Sequence, residues 1–165
     1  MTTVSDVALK ILQDPDQTRH DIAHLLKVWA FARQIGLSEH LDKRTQSILE
    51  TAALLHDIAC PLCRKKYGNT NGKHQEEEGK ILGTEFLKDM DFDAKYKERV
   101  VYLISHHHTL TDIHGMDYQI LIEADFLVNA DESDYSEEVI RNEYEKIFRT
   151  KTGRSLLKNI YLRDA

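Results

Sequence analysis

The period of the α-helix runs through this chain almost without interruption. Ile22, Leu25, Leu26, Trp29 and Ala32 recur at the three- and four-residue steps that gather side chains on one helical face. No alternation of period two persists, so no strand is expected. Only two prolines and seven glycines are available to break helices. The pattern predicts a short helix over 5–14, with Ser5 as N-cap and Pro15 past its end. A long helix over 16–35 follows, closed by Gly36 at C′. Asp42 caps a third helix that runs to about Asp57. Residues 60–75, CPLCRKKYGNTNGKHQ, read as the one clear loop. Further helices are predicted over 76–90, 94–107, 118–129 and 137–148, with a last amphipathic piece over 155–162. The fold class expected is all-α, a single helical bundle.

A chain of 165 residues fits one domain and can hide roughly two thirds of its unfolded surface. With 41% apolar and 30% charged residues, it has the balance of a soluble globular protein rather than a disordered one. The net charge of −6 argues against a nucleic-acid polymer as partner, because such binders carry a basic footprint. No apolar run reaches the ~18 residues that a membrane span needs, so no membrane partner is expected. The segment MTTVSDVALK lacks the core of a signal peptide. Two cysteines, Cys60 and Cys63, are too few for a disulfide framework, and a cytoplasmic setting is the expectation. The pair forms a C-x-x-C, but without the βαβ context of a redox site or the second pair of a zinc ribbon.

The composition departs from the ordinary in its nine histidines, and their placement is informative. In AALLHDIA, His56 and Asp57 stand side by side after four apolar residues. Neighbours on a continuous helix diverge by about 100°, so both can reach one point only where the helix ends or distorts. His24 shares a face with Val28, Ala32 and Ile35 and points partly inward. His20, four residues earlier, has metal-ligand spacing to it and is a rival ligand, although a surface position suits it better. Asp125 lies in YQILIEADFLVNADE among apolar neighbours. A carboxylate buried there requires a partner, either a cation or an Arg or Lys. After the helix KERVVYLISHHH, the stripes place His107 and His108 inward and leave His106 more exposed. His40 and His114 read as surface.

The order His24 … His56-Asp57 … Asp125 resembles the H…HD…D signature of the HD-domain metal-dependent phosphohydrolase superfamily. The flanking segments HLLKVWAFA, ALLHDIA and IEADFLVN resemble it too, and the likeness covers about residues 18–130. The resemblance implies a single HD-type domain over 1–165, with the helices of 136–162 packed on that core. It implies that His24, His56, Asp57 and Asp125 ligate one divalent ion with room for about two waters. Two imidazoles and two carboxylates suit Mn, Fe, Co, Ni or Mg better than a thiolate zinc site, with Zn also open. Such an ion lowers the pKa of its water from 15.7 toward ~7–9, worth roughly 10 kcal/mol in hydroxide availability. The reaction implied is hydrolysis of a phosphoester of a small phosphorylated metabolite, with a nucleotide favoured and a monoester preferred to a diester. Asp57, His107 and His108 are the catalytic candidates. Lys65 and Lys66, in the basic run after the dyad, are the candidates for substrate binding.

Dinuclear members of this superfamily carry an extra histidine four residues before a glycine in the following helix. Gly79 would be that glycine, and Gln75 holds the position, with His74 one residue off. One ion is therefore expected rather than two. His74, His106 and Glu78 remain candidates for a second ion or for the substrate. Glu76, Glu77 and Glu78 also suit the start of a helix electrostatically. The sequence TLTDIHGMDY after the histidines lacks the GYP extension of cyclic-dinucleotide phosphodiesterases. The alternatives to an enzyme are an HD-fold ligand-binding or regulatory module with a structural metal, or a helical partner-binding protein. The assembly stays open, a homodimer included.

Overall fold

The structure, a computed structural model, describes residues 1–163. Short polar side chains set where its helices begin. Thr3 caps α1 (Val4–Leu12) and Thr18 caps α2 (Arg19–Ser38), each forming a capping box with the aspartate three residues on, Asp6 and Asp21. Asp42 caps α3 (Lys43–Leu55), as its position in the sequence predicts. Thr3 rather than Ser5 is the first cap. The long helix starts after Thr18 rather than at 16, and it continues through Gly36.

The expected loop over 60–75 is mostly helix. Cys60–Tyr67 form α4, with Pro61 in the first turn, where a missing N–H leaves no intrahelical bond unmade. Gly68 ends it in the left-handed conformation, φ 71°, which a side chain would disfavour. Then come α5 (Gly72–Leu87), α6 (Ala94–Ile104), α7 (Met116–Glu132), α8 (Glu137–Lys146) and α9 (Lys151–Tyr161). Helix α6 stops at Ile104, three residues short of the expected end, so His106–His108 lie in a turn. No strand occurs among the described residues, and the fold is all-α. No helix among them is long and apolar enough to cross a membrane.

Helix α3 is the centre. Leu49, Ala52, Ala53, Leu54 and Leu55 are all fully buried, against α1, α2, α6 and α7. Helix α7 is sealed almost as completely from Asp117 to Asp125. A helix stretch covered on every side has no solvent face to mark with polar residues, which is why neither of these two shows a clean polar face in the sequence. Helix α5 lies close on α6 because Gly79 and Gly83 leave room for Ile104; a Cβ at either would stand 2.9 Å from it. Helix α9 rests on α2, α7 and α8. The ends of α2, α3 and α7 are thereby fixed around one cleft.

Candidate metal centre

Each donor is aimed by its own element. The capping box on α2 sets the helical phase so that His24 turns inward with Leu25 and Val28. His56 follows the last residue of α3. Beyond it the chain tightens into turns, with Ile58 N–H donating to Leu55 and Cys60 N–H to Asp57. This distortion lets two adjacent side chains, His56 and Asp57, reach one point. Asp125 comes from the buried face of α7.

The four converge. His24 Nε2 lies 3.2 Å from His56 Nε2, 3.1 Å from Asp125 Oδ1 and 3.1 Å from Asp57 Oδ2. His56 Nε2 lies 3.2 Å from Asp125 Oδ1 and 3.5 Å from Asp57 Oδ2. The outer nitrogens are occupied: His24 Nδ1 donates to Glu132 Oε1 at 2.9 Å, and His56 Nδ1 donates to the Ala53 carbonyl at 2.7 Å. These partners fix the tautomers and turn both Nε2 lone pairs into the cleft.

A single proton on His24 Nε2 cannot serve three acceptors at once. A cation between them can. With bonds of about 2.1 Å, neighbouring donors stand about 3.0 Å apart on an octahedron and about 3.4 Å apart on a tetrahedron. The observed separations, 3.1–3.5 Å, lie within or close to that range. The charges agree with this fit. Burial works against a positive His24, but Asp125 and Asp57 overcome it and push the imidazole up to about 11. Burial likewise works against both carboxylates, and the surrounding histidines hold each well below the usual range. The cleft therefore demands a positive charge. His24, His56, Asp57 and Asp125 fit a divalent ion by donor type, distance and charge.

The family model of the HD domain matches residues 21–159, nearly the whole chain. The chain belongs to the HD-domain family. A solved structure described as a predicted HD superfamily hydrolase, from an uncultured Thermotogales bacterium, is 27% identical with a TM-score of 0.65, and the match covers 96% of this chain and 83% of that one. No curated protein matches the chain.

Around this HD centre lies a second set of donors. Asp57, His107 and His108 also present ligand atoms within 4.8 Å of one another. His107 Nδ1 donates to the Ile104 carbonyl, leaving Nε2 buried without a hydrogen-bond partner 3.2 Å from Asp57 Oδ1. Two acceptors facing each other with misaligned axes suit a shared cation better than a shared proton. His108, which the stripes placed inward, is exposed overall, and its Nε2 meets Gln75 Oε1 at 3.0 Å. Burial of that ring, with His107 beside it, brings its pKa down to about 4.

Other candidates stand away from the donors. His74 stacks on Tyr67 at 3.8 Å, and it is Gln75, one residue on, that lines the cleft. His106 stacks on Tyr102 at 4.0 Å and bonds the Tyr102 carbonyl. Glu78 is held by Lys66 at 2.5 Å and Tyr67 at 2.6 Å, tying α4 to α5. Lys66 is committed there, and Lys65 lines a different cleft with Asp14, Gln17 and Phe86. The member of the basic run that reaches the HD cleft is Arg64, forked onto Asp21 at 2.6 and 3.1 Å. His20 sits at the rim, 3.7 Å from Glu132. The cleft holds about 220 Å³. Larger hollows between α5 and α6 (about 490 Å³) and among α1, α4 and α5 (about 610 Å³) line up no such donor set among the described residues.

Glu132, Asn129 and Asp21 were not singled out from the sequence, and Arg64 stood out only as a member of the basic run Arg64-Lys65-Lys66, behind its two lysines. A helical reading could have found the first three. Asn129 and Glu132 fall four and seven residues after Asp125, and Asp21 falls three before His24, all on shared faces.

Proposed function

We propose that this HD-family chain is a metal-dependent phosphohydrolase. Its substrate is a small phosphorylated metabolite, a nucleotide being the favoured class and a monoester favoured over a diester. The observation that supports it most is the convergence of His24, His56, Asp57 and Asp125 in a cleft that also presents a guanidinium, Arg64. The hydrolase description of the structural relative supports it as well.

A divalent ion held by these four residues supplies an activated water and withdraws charge from a phosphoryl oxygen. Everything else falls to the chain. Glu132 and the Ala53 carbonyl hold the two imidazoles in the ligating tautomer. Arg64, steadied by Asp21, offers fixed N–H donors to the equatorial phosphoryl oxygens. This role passes to Arg64 from Lys65 and Lys66. His108, neutral at working pH, serves as a hydrogen-bonding group rather than a cation. His107, pinned by the Ile104 carbonyl, keeps a bare Nε2 turned toward Asp57 from the opposite side. The overall reaction consumes one water and yields inorganic phosphate and the free alcohol.

Purified protein assayed with Mn, Co, Ni, Mg and Zn against p-nitrophenyl phosphate, its bis ester and a panel of nucleoside monophosphates tests the reading. Monoester turnover with at least one metal is expected. Asp57→Ala should lose bound metal by elemental analysis and about a thousandfold or more in activity while keeping its circular dichroism spectrum. Silence in every combination, with metal bound, would favour the binding module instead.

A further inference from the structure

Beside the metal cleft lies a second cavity of about 330 Å³, and the two share His108, Asp125 and Asn129. Their linings differ in character. Around the donors the wall is charged. In the neighbouring cavity Leu110, Ile122, Phe126, Val139 and Ile147 make an apolar wall drawn from α7, α8 and the segments flanking them. Leu110 and Val139 stand at its mouth, 49% and 41% exposed. Apart from His107, His108 and Asp125, which belong to the donor sets, three polar residues line it: Asn129, Tyr135 and Glu143. The buried or half-buried carboxylates Glu50, Glu78, Glu123 and Glu132 are by contrast engaged. Two aromatic rings, Phe126 and Tyr135, stand 5.6 Å apart at 45°, offering faces to a flat guest.

Resting on the hydrolase reading above, we propose that this cavity is the leaving-group subsite, built for a nucleoside that carries an exocyclic amine. Its volume lies at the small end of ligand pockets, enough for one heterocycle and a sugar. The apolar wall and rings take the base. Asn129, shared by both cavities, stands where the sugar must pass between them. Glu143 accepts from the amine. Among the described residues, none hydrogen-bonds the side chains of Asn129, Tyr135 or Glu143, which leaves all three for the guest.

The test uses the whole metal-loaded protein, with binding and turnover measured separately. Calorimetric titration with adenosine, inosine, cytidine and uridine reads the cavity without chemistry. Adenosine and cytidine should bind about tenfold tighter than inosine and uridine. Glu143→Gln should collapse that preference to about twofold, because an amide can face either a donor or an acceptor. Val139→Trp, which fills the mouth, should raise KM for nucleoside monophosphates about tenfold more than it raises KM for glycerol 2-phosphate. Equal binding of all four nucleosides, unmoved by Glu143→Gln, would overturn the proposal. Turnover of phosphoesters with no such dependence would remove the subsite and leave the hydrolase reading standing. Nucleoside binding with the expected preference, but no turnover of any ester, would do the reverse.

Discussion

His24 concentrates the electrostatics of the centre in one ring. Against the cost of burial, Asp125 and Asp57 keep it protonated up to about 11 in the metal-free protein, whereas a ligand must offer a bare Nε2. Metal uptake at pH 7 should therefore release about one proton, measurable by calorimetry in buffers of different ionisation enthalpy. The sign follows from the raised pKa. Apparent metal affinity should climb by roughly tenfold per pH unit as pH rises, and fall on acidification. In the metal-free protein the same shift contributes stability below the ordinary histidine value, and that contribution is lost as pH rises through about 11. Glu132 acts one bond further out, holding His24 Nδ1 at 2.9 Å. Glu132→Gln should weaken metal binding about 10- to 100-fold by metal titration, with little change in the far-ultraviolet spectrum. The four inner donors were readable in the sequence because each stood out against its surroundings: a histidine on an apolar face, an aspartate in an apolar run, a paired His-Asp. Arg64 was not, because a run of three cations shows charge and hides direction. On α4 each neighbour turns by about 100°, which sends Arg64 to the cleft, Lys65 to another face and Lys66 to Glu78.

At the level of elements, the helices were legible wherever tertiary contacts agreed with local preference. Helix α3 begins where Asp42 announces it. Two elements defied their punctuation for reasons that lie elsewhere in the chain. Gly36 reads as a terminator, yet α2 passes through it because the side chain of Gln46 packs there; a Cβ would stand 2.2 Å from Gln46 Oε1. The glycine serves a close approach rather than a turn. Helix α4 was hidden among Pro, Gly and Asn, although Pro61 occupies the one turn that tolerates it and Cys60 and Cys63 supply the buried face. The cysteines are free thiols, and burial with the nearby carboxylates raises Cys60 far above the ordinary thiol range, so packing accounts for the C-x-x-C. Helix α9 is anchored at its start by a buried carboxylate. Glu123 accepts from Thr150 Oγ1 at 2.6 Å and from the Arg149 and Thr150 N–H groups at 3.2 Å. A Cβ on Gly153 would lie 1.9 Å from Glu123 Oε1. Gly153→Ala should thus destabilise the fold by about 2–3 kcal/mol in urea titration, overriding the ~1 kcal/mol that alanine gains over glycine in an exposed helix.

Across the whole molecule, the centre is placed to act as a cross-link. Its four side chains arrive from α2, from the turn after α3 and from α7, and a cation held there would join all three at the middle of the bundle. Saturating metal at about 100 times its Kd should add roughly 2.7 kcal/mol of stability. For a domain of this length that corresponds to a rise of about 5–10 °C in Tm, reversed by a chelator. The bundle itself could be foreseen from periodicity, because a helical core is written locally. The alignment of two cavities could not, because it depends on where α8 lands relative to α7, some ten to twenty residues apart in sequence. The central claim is that His24, His56, Asp57 and Asp125 share one cation. Anomalous diffraction from Mn-loaded crystals tests it most directly. The account predicts a peak about 2.1–2.2 Å from His24 Nε2, His56 Nε2, Asp57 Oδ2 and Asp125 Oδ1 together, whether or not a second peak lies near His107. A peak that leaves out Asp125, or none at all in protein that binds manganese elsewhere, would contradict it.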